Sequence, residues 1–147
     1  MVLEKSAVGT LFVSSSTHRC LLGLRAPYKS HALCWSIFGG MVDNNETPKE
    51  ALTRELKEEM EYSLIYEKIY PFDIYESAEH NFKYYTFLTI VSNEFTPKLN
   101  RENCGYCWIN LGEWPQPMHK QARNSFCNKK AINRIRTILE SHSHRII

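Results

Sequence analysis

Gly40, Glu46, Arg54, Glu55, Glu58 and Glu59 fall within twenty residues, a span that fits one loop and one helix. Carboxylates three and four residues apart on a helix repel each other. A hard divalent cation such as Mg2+ turns that repulsion into ligation by oxygen, and a glycine turn can add a backbone carbonyl to the same shell. With Leu52 at zero and about 100° per residue, Leu52, Leu56 and Met60 form an apolar stripe near about +40°, while Glu55, Glu58 and Glu59 centre near about −65°. Glu59 falls near about −20°, on the border of the buried stripe, where an unpaired anion is costly. The plain alternative for these residues is a solvated acidic face, with Arg54 and Glu58 an ordinary i, i+4 pair.

The elements that must position these groups are readable in outline. Thr47 can cap a helix, Pro48 suits its first turn, and Glu50 stands three residues after the cap, as in a capping box. Before it, residues 7–13 and 19–25 are β-branched, aromatic or apolar around a turn-like Ser/Thr run, which predicts a hairpin. Residues 26–32 read as a loop, and residues 34–38 as a short strand stopped by Gly39 and Gly40. Strand-like runs follow at 69–75, 82–91 and 105–109, and residues 131–141 have the spacing of a closing amphipathic helix. The order β-β-β-α-β-β-β-α predicts an α/β fold with a mixed sheet and helices packed against it.

The stretch from Gly40 onward resembles the Nudix box: glycine, five residues, glutamate, seven residues, Arg-Glu, an aliphatic, any residue, Glu-Glu. Gly40, Glu46, Arg54, Glu55, Leu56, Glu58 and Glu59 match in register, while Glu61 and Tyr62 replace the glycine and aliphatic that close the box. The helix exit is therefore expected to differ, and the carboxylates precede it. Arg25, Trp35 before Phe38-Gly39-Gly40, and Glu102 ahead of Tyr106-Cys107-Trp108 extend the likeness over about residues 5 to 125.

The resemblance implies an α/β/α sandwich and a pyrophosphohydrolase that releases a nucleoside monophosphate. Glu55 and Glu59 would be the main ligands of Mg2+, or of Mn2+, together with the Gly40 carbonyl. Glu58 would ligate or shape a further metal. Arg54 would orient the carboxylates by pairing with Glu46 or Glu55, and Glu102 would serve as an extra ligand or base. Glu58, Glu59, Arg54 and Glu102 are thus the candidate catalytic groups. For the substrate, Arg25 is a candidate phosphate contact, with Lys29, Lys83 and Arg101 as further cations. Trp35 and Tyr85 are the aromatics chosen for base stacking, from a set that includes Tyr28, Phe82, Tyr84, Trp108 and Trp114.

Composition narrows the field. A chain of 147 residues, 43% hydrophobic, supplies one core, so residues 1–147 are expected to form a single domain. With 18 basic against 16 acidic residues there is no clear nucleic-acid surface, although Lys129, Lys130, Arg134 and Arg136 could guide RNA. Five scattered cysteines, including the Cys104–Cys107 pair on a strand-like run, read as free thiols in a reducing compartment. No run is long and apolar enough to span a membrane, and a cytoplasmic protein is expected. His142 and His144 read as surface tail, while His31 and His119 lie on loops that could close over a ligand. The expected partner is a small nucleotide, with a homodimer left open. The alternatives are an RNA 5′-end pyrophosphohydrolase and a non-catalytic nucleotide-binding scaffold.

Overall fold

The computed structural model describes residues 4–60 and 66–146, with side chains omitted at 59, 60 and 144–146. The strands are β1 (Lys5–Ser14), β2 (Arg19–Arg25), β3 (Trp35–Ser36), β4 (Phe38–Met41), β5 (Tyr66–Glu76), β6 (Phe82–Val91) and β7 (Asn103–Asn110). The helices are α1 (Pro48–Met60), α2 (Lys120–Phe126) and α3 (Lys129–Ile146). All seven strands form one mixed sheet along the path β3-β2-β1-β6-β5, with β4 also paired to β1 and β7 to β2.

The parallel pairing of β1 with β6 runs from Lys5↔Phe82 to Ser14↔Val91 and forms the spine of the sheet. Side chains alternate across it. On one face Val8, Phe12, Leu21, Phe38 and Phe87 pack on Ala51, Leu52 and Leu56 of α1. On the other, Leu11, Val13, Leu22, Leu88 and Ile90 pack on Ala122, Phe126, Ile135 and Leu139 of α2 and α3. Helices therefore cover both faces, and the fold is an α/β/α sandwich.

β1 and β2 pair only near their turn, at Phe12↔Leu21 and Val13↔Cys20. Beyond it they splay, and β3 and β4 fill the gap by pairing with β2 and β1 respectively. This corrects one sequence expectation. The strand expected over 34–38 breaks at Ile37, and Gly39 and Gly40 continue β4 opposite Gly9 and Val8 instead of stopping it. A Cβ at Gly39 would overlap the Val8 carbonyl and the Gly9 Cα, so the glycine permits a close approach of two backbones.

Two further expectations change. α2 went unread, and the closing helix extends to Ile146, which places His142 at 5% exposure instead of on a surface tail. His142 Nε2 lies 2.7 Å from Glu67 Oε2, and its Nδ1 lies 3.1 Å from the Tyr70 hydroxyl, tying α3 to β5. His144 lies outside the described side chains. All five cysteines are free, and Cys104 is exposed while Cys107 packs against the α2/α3 core.

Candidate active site

The loop between β4 and α1 is built on reciprocal hydrogen bonds. Thr47 N donates to Glu50 Oε1 at 2.9 Å and Glu50 N donates to Thr47 Oγ1 at 3.1 Å, so the expected capping box forms. Asp43 N donates to Glu46 Oε1 at 2.8 Å, closing the preceding turn. Across it, Arg54 Nε donates to Glu46 Oε2 at 2.9 Å and Nη2 donates to Glu46 Oε1 at 3.0 Å, a two-pronged contact that only a guanidinium makes. Nη2 also donates to Met41 O at 2.9 Å, while Nη1 reaches Glu55 Oε1 at 3.1 Å and Glu58 Oε1 at 3.4 Å. One side chain thus ties the loop, the end of β4 and two helix carboxylates together. The hydrogen bonds from Arg54, followed by that from Asp43 N, hold the Glu46 carboxyl below its ordinary range.

Glu55 is the most enclosed of these acids, its side chain 13% exposed, whereas that of Glu58 is 58% exposed. Its carboxylate presses against the Cα of Gly40, where any Cβ would overlap it. Burial raises the Glu55 pKa, the charges of Glu58 and Glu102 raise it further, and Arg54 only partly offsets them. Glu102, forty-seven residues away by number, therefore belongs to the same electrostatic neighbourhood. Its backbone is fixed at both ends: Glu102 N donates to Asn100 Oδ1 at 2.8 Å, and Ala26 N donates to Glu102 O at 2.9 Å.

Beside this cluster lies a cavity of about 190 Å³, whose lining includes Arg25, Lys29, Ser36, Gly39, Gly40, Tyr84, Glu102, Asn103 and His119. Arg25 is held at its rim, its Nε donating to Ser30 O at 2.8 Å. A larger, more open hollow of about 600 Å³ runs along the outer flank of α1 past Lys49, Thr53 and Lys57. It includes Arg54 and Glu58 but none of Gly40, Glu102 and Arg25, which line the smaller cavity, so the smaller cavity is the candidate substrate site. There, cations that can meet phosphate share a lining with Glu102, beside the carboxylates of α1 that can hold a metal or take a proton.

The cavity brings together Arg25, Gly40 and Glu102, next to Arg54, Glu55 and Glu58. Two residues expected at the substrate fall outside this lining. Tyr85 points to the α1 face of the sheet and lines a separate hollow beside Phe87 and Arg134, and it is Tyr84, on the opposite face, that lines the cavity. The Trp35 side chain packs against the α2/α3 core, and the neighbouring Ser36 and Ile37 take the lining positions. Of the secondary cations, Lys83 pairs with Glu4 at 3.3 Å. Arg134, one of the basic residues that could guide RNA, donates to Phe72 O and lies 4.5 Å over the Phe72 ring. The Glu59 side chain and residues 61–65, with the Glu61 and Tyr62 departures, lie outside the described residues. His119, expected on a loop that could close over a ligand, lines the cavity, while Ser36 and Asn103 were missed by sequence reasoning. A lone Ser or Asn in a loop or short strand has no spacing signal to find it by.

The NUDIX domain model matches residues 3–128. The chain belongs to the NUDIX domain family. It is accordingly a Nudix pyrophosphohydrolase, and the strand-loop-helix around Gly40 and Arg54 carries the stretch that resembles the Nudix box. A curated relative, the dihydroneopterin triphosphate diphosphatase of Haemophilus influenzae, is 29% identical over 117 residues, 69% of this chain and 73% of that protein. Among solved structures, a MutT NUDIX hydrolase from Burkholderia pseudomallei superposes with a TM-score of 0.64 at 22% identity, covering 83% of this chain and 95% of that one. A Nudix hydrolase from M. smegmatis gives 0.66 at 18% identity, covering 95% and 87%. At these identities the structural likeness speaks for the fold of the Nudix protein. No described helix is long and apolar enough to cross a membrane.

Proposed function

We propose that this Nudix pyrophosphohydrolase acts on a small nucleotide, a nucleoside triphosphate or nucleoside diphosphate derivative, with Mg2+ or Mn2+ as cofactor and in the cytoplasm. The observation that carries this reading is the cavity, where Arg25 and Lys29 share one lining with Gly40 and Glu102, and Gly40 abuts the enclosed Glu55. The small size of that cavity favours a compact substrate over a polymer end, and the relative named for a heterocyclic triphosphate supports a triphosphate-bearing one.

Among the described residues no three His, Cys, Asp or Glu side chains are arranged to hold a metal ion, and the Glu59 side chain is not among them. The donors nonetheless suit a hard divalent cation. They are oxygen ligands, and Glu55, its pKa raised by burial first and then by Glu58 and Glu102, is an enclosed carboxylate among like charges. Glu55, Glu59 and the Gly40 carbonyl would hold the ion, with Glu58 and Glu102 at its margin. When bound, such an ion supplies neutralisation of diphosphate charge and a more acidic attacking water.

The chain's own groups do the rest. Arg25 and Lys29 bind the phosphate oxygens and hold the diphosphate in line for attack at phosphorus. Arg54 keeps Glu55 and Glu58 aimed at the same space. One of Glu58, Glu59 and Glu102 accepts the proton of the attacking water as the P–O bond to the leaving phosphate breaks.

The test is to incubate the protein and its Glu59→Gln variant with nucleoside di- and triphosphates, dihydroneopterin triphosphate, ADP-ribose, nucleotide sugars and diadenosine polyphosphates, in Mg2+, Mn2+ or EDTA. Release of monophosphate and pyrophosphate that needs metal and disappears in the variant is the expected result. Cleavage only of a triphosphorylated RNA 5′ end would overturn the small-nucleotide reading, as would turnover that EDTA leaves untouched.

A further inference from the structure

The ring of His119 carries its proton on a definite nitrogen. Gln121 N donates to His119 Nδ1 at 3.1 Å where His119 caps α2. A backbone amide can only donate, so Nδ1 is the bare nitrogen and Nε2 bears the hydrogen. Burial pushes the imidazole pKa down to about 4, with His31 and Arg25 adding to the effect, so the ring is neutral at physiological pH. Its place is fixed too: His119 N donates to Trp35 O at 2.8 Å, Trp35 N donates to Pro117 O at 2.9 Å, and the His31 ring sits 4.4 Å away, centroid to centroid. Nε2 has no hydrogen-bond partner among the described residues, and His119 lines the cavity.

Two neutral groups share that lining. Ser36 is 7% exposed and its hydroxyl has no hydrogen-bond partner among the described residues; the side-chain amide of Asn103 has none either. A nearly buried hydroxyl left open to a cavity is a group waiting for a ligand. The cavity is smaller than the roughly 300–1,000 Å³ of sites that enclose a whole drug-sized molecule, so a nucleotide touches it with both its phosphates and its base edge but extends beyond its walls. The cations Arg25 and Lys29 suit phosphate. A neutral set that mixes donors and acceptors suits the uncharged edge of a heterocycle.

Within that set only His119 discriminates. A hydroxyl rotates to give or accept, and an amide offers both, so Ser36 and Asn103 adapt to either partner. The His119 edge can only give. We infer that His119 is a specificity-determining residue whose Nε2–H donates to a ring carbonyl of the substrate, so that this enzyme takes a keto-bearing heterocycle in preference to one with an amino group at that position. The inference rests on the cavity being the nucleotide site, as proposed above. Meeting an amino group there would set donor against donor and leave both unpaired out of water, a loss worth about ten- to a hundredfold.

ITP and ATP test it, because they differ at purine C6, keto with its N1 proton in one and amino in the other. We would measure kcat/KM for both, and dissociation constants for their α,β-methylene analogues, in the wild type, His119→Ser and His119→Ala. The wild type should favour the keto nucleotide about ten- to a hundredfold by both measures. Serine still accepts from the helix amide, so His119→Ser should keep the wild-type Tm while the two nucleotides come to near parity, chiefly through a higher KM for ITP. Alanine should lose the preference and lower the Tm as well. A wild type without preference, or a preference that survives in His119→Ser, would overturn the inference. Keto-selective binding of the analogues without turnover of either triphosphate would sink the proposed reaction and leave the inference standing. Turnover without selectivity would do the reverse, and neither binding nor turnover would overturn both.

Discussion

Gly40 lies flat against the Glu55 carboxylate, so that even a methyl group at position 40 would overlap its oxygens. The atoms in the way belong to the end of a flexible side chain, which can move without disturbing the backbone. Gly40→Ala is therefore expected to fold with little change in Tm but to displace Glu55 and cost about a hundredfold in kcat/KM. Gly39→Ala provides the contrast, because its Cβ would meet the Val8 carbonyl and the Gly9 Cα. Two paired strands would have to part, and a loss of about 1–3 kcal/mol is expected. Thermal melts beside steady-state kinetics separate the two outcomes; equal destabilisation by both would refute the distinction.

Arg54 holds Glu46 with two nitrogens while also reaching Met41 O, Glu55 and Glu58. A lysine keeps the charge but has no fork with which to make these contacts together. Arg54→Lys is expected to cost about 10–100-fold in activity or metal affinity, the range seen when groups that orient ligands are changed. Calorimetric titration with Mg2+ and kinetics at varied Mg2+ would read it. Full activity in the variant would show that only the charge matters.

The Glu55 carboxyl is held above its ordinary range by burial and by Glu58 and Glu102. A raised pKa means that ionising this acid opposes folding: its contribution is present below the unfolded pKa and is lost as pH rises through the folded one. In EDTA, Glu55→Gln should therefore melt above the wild type at neutral pH, with the gap closing as pH is lowered through the carboxylate range. Added Mg2+ should raise the wild-type Tm and leave the variant behind. A variant less stable than wild type at neutral pH in EDTA would contradict this.

At the far side of the molecule, His142 joins Glu67 and Tyr70 to close α3 on the sheet. Burial lifts the Glu67 pKa, but the hydrogen bonds from His142 and Ser92 outweigh it and the net shift is downward. Glu67 thus stabilises the fold above its unfolded pKa, and that contribution is lost as pH falls below about 4. His142→Ala should lose about 1–3 kcal/mol in urea unfolding at pH 7 and leave kcat/KM nearly unchanged, because the cavity does not include it. Glu67→Gln should show a flatter decline in stability on the acid side than the wild type.

The sequence by itself determined the box and its helix, because both rest on local rules. The Thr47–Glu50 cap, the Leu52–Leu56 stripe and the flank that puts Glu55 beside it all follow from 3.6 residues per turn and contacts within one segment. Arg54 with Glu46, and the order of the longer strands and of α1 and α3, were legible for the same reason. What the tertiary structure decided lies where period and proximity give no signal. Strand β6 is apolar or aromatic on both sides, so its phase cannot be read, and only packing between two helix layers shows that Tyr84 and not Tyr85 lines the cavity. The splay of β1 from β2 left a gap that β3 and β4 fill, so Gly39 and Gly40 became strand instead of turn. Ser36, Asn103 and His119 come from three separate segments, Ser36 far from the other two in sequence, and meet only because β2 carries β3 on one edge and β7 on the other, with the Pro117–His119 segment hung on Trp35. Local chemistry wrote the machinery for cutting phosphate; the long-range pairing of the sheet decided what stands beside it.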